Sequence, residues 1–310
     1  MARGVTATAI ADSVLRLAVL LQAGVAPSRA WEYLAEAGDE HAARVCAASA
    51  SGMPLPAAIA RSDTAPARRR PLSRQPADAG SAATRWRDVS AAWQVATAVG
   101  APLAESLRAL SIALRDAQEA ADDVRVALAE PAATARLMAW LPLVAVLLGV
   151  ALGFDTFATL IGSPIGIACL LLGAALIFAA QRWNAALVKR SRAAGGIPGL
   201  DAELLAIALS GGVSIDRARR LVNDATGSTT DAATDAVLDL SRSAGVPAVE
   251  LLRASSTLAR HRARVDGRLR AARLSTRLLL PLGICTLPAF LLLGVAPMLL
   301  SVMTSVPLPL

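Results

Sequence analysis

Histidine and cysteine, the residues most often put to chemical use, are scarce and scattered in this chain. His41 and His261 stand far apart, and neither has metal-ligand spacing to a cysteine or to the other. Cys46, Cys169 and Cys285 are equally dispersed, two of them inside apolar runs, so neither a disulfide framework nor a zinc site is expected. The densest cluster, Asp39-Glu40-His41, follows Gly38 and reads as a solvated helix cap or loop. The glycines of "SGGVS", Ser210 to Ser214, lack the lysine and the preceding strand of a phosphate-binding loop, and no Gly-x-Ser-x-Gly elbow occurs. No catalytic residue, cofactor or metal is expected.

What recurs instead is a pair of opposite charges. "GAPLAESLRA" from Gly100 and "GVPAVELLRA" from Gly245 place Glu105 and Glu250 three residues after a proline, and Arg108 and Arg253 three residues further on. A glutamate near a helix N-terminus suits the helix dipole, and the i, i+3 spacing lets the arginine pair with it. Two readings stay open: helix stabilisation, or a repeated surface for a partner. The run "RHRARVDGRLRAARLSTR", Arg260 to Arg277, has Asp266 as its one acid. It suits an anchor at lipid headgroups or a basic face, with Arg260, Arg264 and Arg268, for an acidic protein patch. Nucleic acid is not an expected partner, because aromatic stacking residues are absent from the run. Arg68-Arg69-Arg70 reads as a solvated charge run.

The elements that carry these residues are helical. Val14, Leu17, Leu21 and Val25 form a stripe at helical steps, after which Gly24 can close one helix and Pro27 can open the next. Related corners fall at Gly52 and Pro54, Gly100 and Pro102, Gly212, and Gly245 and Pro247. "LAVLLQAGVAPSRAWEYL" from Leu17 and "LAIALSGGVSIDRARRLV" from Leu205 share seven of eighteen residues without a gap. This order, repeated in both halves, indicates an internal duplication. Strand-like alternation is absent.

With 55% hydrophobic residues and a mean hydropathy of +0.51, the chain is too apolar for an ordinary soluble domain of 310 residues. From Leu137 to Gln181 the only charge is Asp155, which predicts a two-span hairpin; Leu278 to about Met303 predicts a third span. Pro142, Pro281, Pro288 and Pro297 should kink these spans without ending them. Every lysine and arginine falls in 1–136 or 181–277, so both long polar segments are expected in the cytoplasm and the C-terminus outside. Asp12, Arg16 and Gln22 interrupt the first apolar stretch, which argues against a cleaved signal peptide. The expected fold is an all-α integral membrane protein with two repeated cytoplasmic helical bundles and three transmembrane helices. Its parts are bundle 1 over 1–136, with a mobile Arg- and Pro-rich loop over 61–85; the hairpin over 137–181; bundle 2 over 182–277; the third helix over 278–303; and a short external tail over 304–310. Asn223 to Ala233 reads as a shorter loop. Three spans, with glycine pairs Gly149/Gly153 and Gly162/Gly166 suited to close helix packing, would also fit a small-solute transporter or channel subunit. The mass of cytoplasmic helix and the lack of polar midplane positions favour a non-transport role.

The corner "LLxAGVxxxxAxxxL", the later "GxPLxExLxxL", two spans between the copies and one after the second resemble the type II secretion system F family. The ending "RLLLPLGICTLPAFLLLGVAPMLLS" and the Ala- and Arg-rich style are most similar to the tight-adherence (Flp) pilus assembly platform proteins TadB and TadC. The resemblance covers roughly 12–60 and 86–303. It implies an inner-membrane platform protein without enzymatic activity, whose cytoplasmic domains contact a hexameric secretion ATPase and whose membrane part engages pilin subunits. A second platform protein, another copy of itself and the lipid bilayer are further implied partners. Many relatives carry "GExSGxL" at the last corner; "VGAPLAESL" and "AGVPAVELL" keep Gly100 and Gly245 but lack the acid after glycine, so no metal site carries over.

Overall fold

The computed structural model describes residues 7–61, 76–151, 162, 164–191, 196–296 and 299. The turn near Asp155, Gly153, Arg68–Arg70, Pro297 and the tail 304–310 lie outside them. Among the described residues all regular structure is helical: α1 (Ala7–Gln22), α2 (Pro27–Glu36), α3 (Glu40–Ala50), α4 (Leu55–Arg61), α5 (Pro76–Val99), α6 (Leu103–Ala151), α7 (Pro164–Ser191), α8 (Leu200–Ser210), α9 (Ile215–Thr226), α10 (Ala232–Ala244) and α11 (Ala248–Pro281).

Glycine sits in the left-handed region at every expected corner: Gly24 (φ 84), Gly52 (φ 89), Gly100 (φ 69), Gly212 (φ 78) and Gly245 (φ 67). At Gly24 and Gly212 the conformation decides the residue, because a Cβ would strain the backbone although open space surrounds both positions. The next helix starts differently in the two copies. Pro27 opens α2 after the extended Ala26, whereas Ser214 caps α9, its Oγ accepting from the Arg217 N–H at 3.4 Å. Pro54, Pro102 and Pro247 immediately precede α4, α6 and α11.

The chain divides into two compact units, residues 1–121 with 194–265, and 122–193 with 266–310. The first unit holds short helices from both copies around one core. Leu17 and Leu205, Ala18 and Ala206, and Ala30 and Ala218, all paired by the repeat, are buried together in it. Two separate bundles over 1–136 and 182–277 are therefore not what forms. Helix α8 shows why: Ala202 through Ala208 are buried without interruption, so this helix has no solvent face and needs neighbours all round. Helix α5 supplies much of that cover, packing against α1, α4, α8 and α9. The approach is close, since a Cβ on Gly211 would lie 2.7 Å from the Val99 carbonyl oxygen. Two boundaries also move. The loop expected over 61–85 yields its last part to α5, which starts at Pro76, and the one over Asn223–Ala233 shortens to the residues between Thr226 and Ala232.

In the second unit, Pro164–Trp183 of α7 is, among the described residues, the one stretch of 20 residues long and apolar enough to cross a membrane. Ile165, Leu171, Leu172 and Phe178 on it are exposed. Gly166, Gly173 and Ala180, spaced by seven, are buried. Gly173 packs on the segment after α11, where its Cβ would fall 2.6 Å from Leu293 Cγ. Of the expected pair Gly162/Gly166, Gly162 faces open space, so the close-packing row runs through Gly166 and Gly173 instead. The expected first span is helical to Ala151, where description stops. The third continues past Pro281 as π-helical turns, Leu282–Thr286 and Leu291–Val295, with Leu287–Phe290 between them. A proline that removes a donor and crowds the preceding turn widens the helix in this way.

Because Leu17 and Leu205 share one core, Leu17→Ala and Leu205→Ala should each cost about 2–5 kcal/mol. Both should lower the same transition when thermal unfolding of the full chain is followed by circular dichroism. Two transitions, each moved by only one of the substitutions, would restore the two-bundle arrangement.

Candidate functional site

The residues singled out for partner binding fall into two groups. Glu105 and Arg108 stand exposed in the first turns of α6, where the Arg108 guanidinium donates to the Gln22 side chain of α1. Glu250 and Arg253 form an i, i+3 pair at 3.9 Å on α11 and line a shallow depression with Leu258 and His261. Both sets of residues are exposed enough to meet a partner, and the Glu250–Arg253 ion pair contributes little to stability.

Arg260, Arg264 and Arg268 are placed otherwise. Only 9% of the Arg260 side chain is exposed; its Nε donates to Asp116 at 3.1 Å, and its Nη1 lies 3.5 Å from Glu203 Oε2. Glu203 is 6% exposed at its side chain and also accepts from Ser256 Oγ at 2.8 Å. One guanidinium thus joins acids from α6 and α8. Removing one partner from such a buried pair leaves a charge uncompensated, at a cost of about 3–5 kcal/mol. Arg264 pairs with Glu119 at 3.0 Å in the first unit, and Arg268 pairs with Asp123 at 2.9 Å in the second. The three arginines expected to face a partner each pair with an acid of α6, and Arg260 also with Glu203 of α8.

The repeat explains the register. Counting from Gly100 and Gly245, Glu119 corresponds to Arg264, and Asp123 to Arg268. Equivalent positions of the two copies therefore pair with each other, one copy supplying acid and the other base. Two further correspondences hold. Ser111 and Ser256 are both buried and donate to the carbonyls of Arg108 and Arg253 at 2.7 and 2.9 Å. Arg115 and Arg260 each reach an acid on the first helix of their own copy, Asp12 at 2.9 Å and Glu203 at 3.5 Å. The acids Asp116, Glu119, Asp123 and Glu203 were missed in reading the residues. Extending the match of "GAPLAESLRA" with "GVPAVELLRA" by about four turns would have set "EAADD" opposite Arg264–Arg268.

With both copies described, the first can be compared with known proteins. Residues 14–151 match the family model of the type II secretion system (T2SS), protein F. The matched segment contains all but the start of α1 and runs to the end of α6, so it takes in the first-copy corners and the α6 acids of the charged seam. No curated protein matches the chain, and no solved structure does.

Two buried ionisable groups lie inside or against this segment. His41, expected in solvent, is instead buried and stacked on Trp86, with ring centroids 3.5 Å apart and planes 6° from parallel. Asp39 does cap α3, its Oδ1 accepting from the N–H groups of His41 and Ala42, and this cap turns the imidazole into the core. Burial, helped by Arg44, lowers the His41 pKa to about 3. On α5, burial raises the Asp88 carboxyl to about 7, with Asp201 adding to the rise and Arg85 and Arg87 opposing it. Asp201, at the start of α8, is itself raised by burial and by Asp231. Among the described residues no three such ligand side chains cluster as a metal site would require.

The signs of these shifts oppose each other. As pH falls from the ordinary histidine value of 6.5 towards 3, the unfolded chain gains a proton that buried His41 refuses, and stability is lost. As pH rises from 3.8 towards 7, the unfolded chain releases a proton that Asp88 keeps, and stability is again lost. Asp88→Asn should therefore raise the unfolding temperature by several degrees at pH 8 and change it little at pH 4, read by differential scanning fluorimetry. An equal gain at both values would show that Asp88 does not titrate in this window.

Proposed function

We propose that this chain is an inner-membrane platform protein of a pilus or type II secretion-like machine. It couples a cytoplasmic secretion ATPase to the addition of pilin subunits and is most like the tight-adherence (Flp) pilus platform proteins TadB and TadC. The observation that carries the reading is the match of residues 14–151 to protein F. The exposed apolar stretch Pro164–Trp183 in the second unit supports a membrane location. In this reading the first unit is cytoplasmic, residues 137–181 and 278–303 cross the bilayer, and the polypeptide has no active site of its own.

Coupling then has a mechanical form. The seam ties α11 to α6 and, through Glu203, to α8, so a displacement imposed on the exposed charges near Arg108 or Arg253 is shared among these helices of the first unit. Rigid elements joined by buried charge transmit such displacement without needing a nucleotide site.

The purified chain should hydrolyse no ATP, and it should co-purify with a secretion ATPase encoded beside it. Cells lacking the chain should make no surface filament while retaining normal levels of that ATPase. Filaments in the deletion strain would overturn the platform reading; uptake of a small solute lost on deletion would favour a transporter.

A further inference from the structure

Helix α11 carries arginines on two faces, and the structure treats them differently. The inward face of its second-unit part holds Gly267, Ala271 and Leu274, and Arg268 stands exposed at its edge. Ala271 and Leu274 are 1% and 5% exposed, a Cβ on Gly267 would meet Val124 of α6 at 3.2 Å, and Arg268 is paired with Asp123. Arg270, Arg273 and Arg277 follow an i, i+3, i+7 stripe on another face, and all three are exposed. Among the described residues none of them has a carboxylate partner; Arg270 Nε donates only to the backbone carbonyl of Asp266, at 3.2 Å.

An uncompensated stripe beside a compensated one calls for a partner from outside the chain. Its neighbours in sequence and in the same unit say which. Arg277 is followed at once by the uncharged apolar run from Leu278, in which Ile284, Leu287 and Leu291 are exposed. On α7 of that unit, the exposed apolar residues end in the same way, with exposed Arg182 and Trp183, the Arg182 guanidinium lying over the Phe178 ring at 5.8 Å. Arginine and tryptophan at the end of an apolar stretch suit the headgroup layer, where the stem packs on acyl chain and the charge meets phosphate.

We infer that Arg270, Arg273 and Arg277 form a binding stripe for the phosphate headgroups of anionic phospholipid, separate from the arginines that lock α11 to α6. The stripe neutralises lipid charge; Arg260, Arg264 and Arg268 neutralise protein charge. This inference rests on the membrane location proposed above.

The test uses the full chain in nanodiscs of phosphatidylcholine doped with spin-labelled phosphatidylglycerol or spin-labelled phosphatidylcholine, with the immobilised fraction read by electron paramagnetic resonance. The wild-type chain should prefer phosphatidylglycerol by at least about threefold at low salt, as expected for a cluster of basic side chains at the surface. Arg270→Gln, Arg273→Gln and Arg277→Gln together should bring the preference close to one, the matching lysine variants should keep it, and Arg264→Gln with Arg268→Gln should leave it unchanged. Equal immobilisation of both lipids by the wild-type chain, or a preference that survives the triple glutamine variant, overturns the inference. So does a triple variant that keeps its lipid preference but loses its ATPase partner, since the stripe would then serve an acidic protein. Failure of the wild-type chain to enter the nanodisc would instead sink the membrane reading.

Discussion

A guanidinium withdrawn from water is the constraint on which this arrangement turns. Arg260 can be buried only because Glu203 and Asp116 come to it from two other helices, and Ser256 completes the hydrogen bonding of Glu203. Buried charges of this kind add little net stability, since desolvation offsets most of the attraction. Their effect is on specificity: any packing of α6, α8 and α11 that separates these groups leaves a bare charge in the core. Gly199 fits the same constraint, because a Cβ there would lie 2.8 Å from the Ser256 Cα, so α8 can approach α11 only with glycine at its start. Further along, the Glu119–Arg264 and Asp123–Arg268 pairs hold the register that the buried node sets.

A duplicated sequence faces a problem that a unique one does not: either copy can pair with itself or with the other. Equivalent positions that meet in such an arrangement should repel if they keep the same charge. Here Glu119 and Asp123 have arginine counterparts, so unlike copies attract and like copies do not. The shared core pushes the same way, with α5 of the first copy covering α8 and α9 of the second.

Local features were legible in the residues. The corners were, since only glycine suits the φ values at Gly24 and Gly212, and so was the repeat, whose identical positions are core positions. The apolar stretch of α7 was visible from composition. Long-range choices were not. That both copies share one core depends on α8 being buried on all sides, and its seven consecutive buried residues include a glutamate that no apolar pattern would place there. His41 looked solvated because Asp39 and Glu40 beside it are polar, yet the cap made by Asp39 sends the ring inward to Trp86. Arg260, Arg264 and Arg268 read as a free basic face because their acids lie far earlier in the chain, 57 residues for Glu203 and about 145 for Asp116, Glu119 and Asp123. Only the repeat, extended past its conspicuous motif, could have revealed them.

The pairing of equivalent charges on α6 and α11 is the centre of this account, and a charge exchange tests it most directly. Unfolding temperatures would be compared for the full chain, for Glu119→Arg with Asp123→Arg, for Arg264→Glu with Arg268→Glu, and for all four changes together. Each one-sided variant should melt well below the wild-type chain, through four like charges placed along one seam, and the four-fold variant should recover most of the loss. A four-fold variant that melts as low as the sum of the two one-sided losses would show that these residues do not face each other, and the register proposed for the two copies would fall.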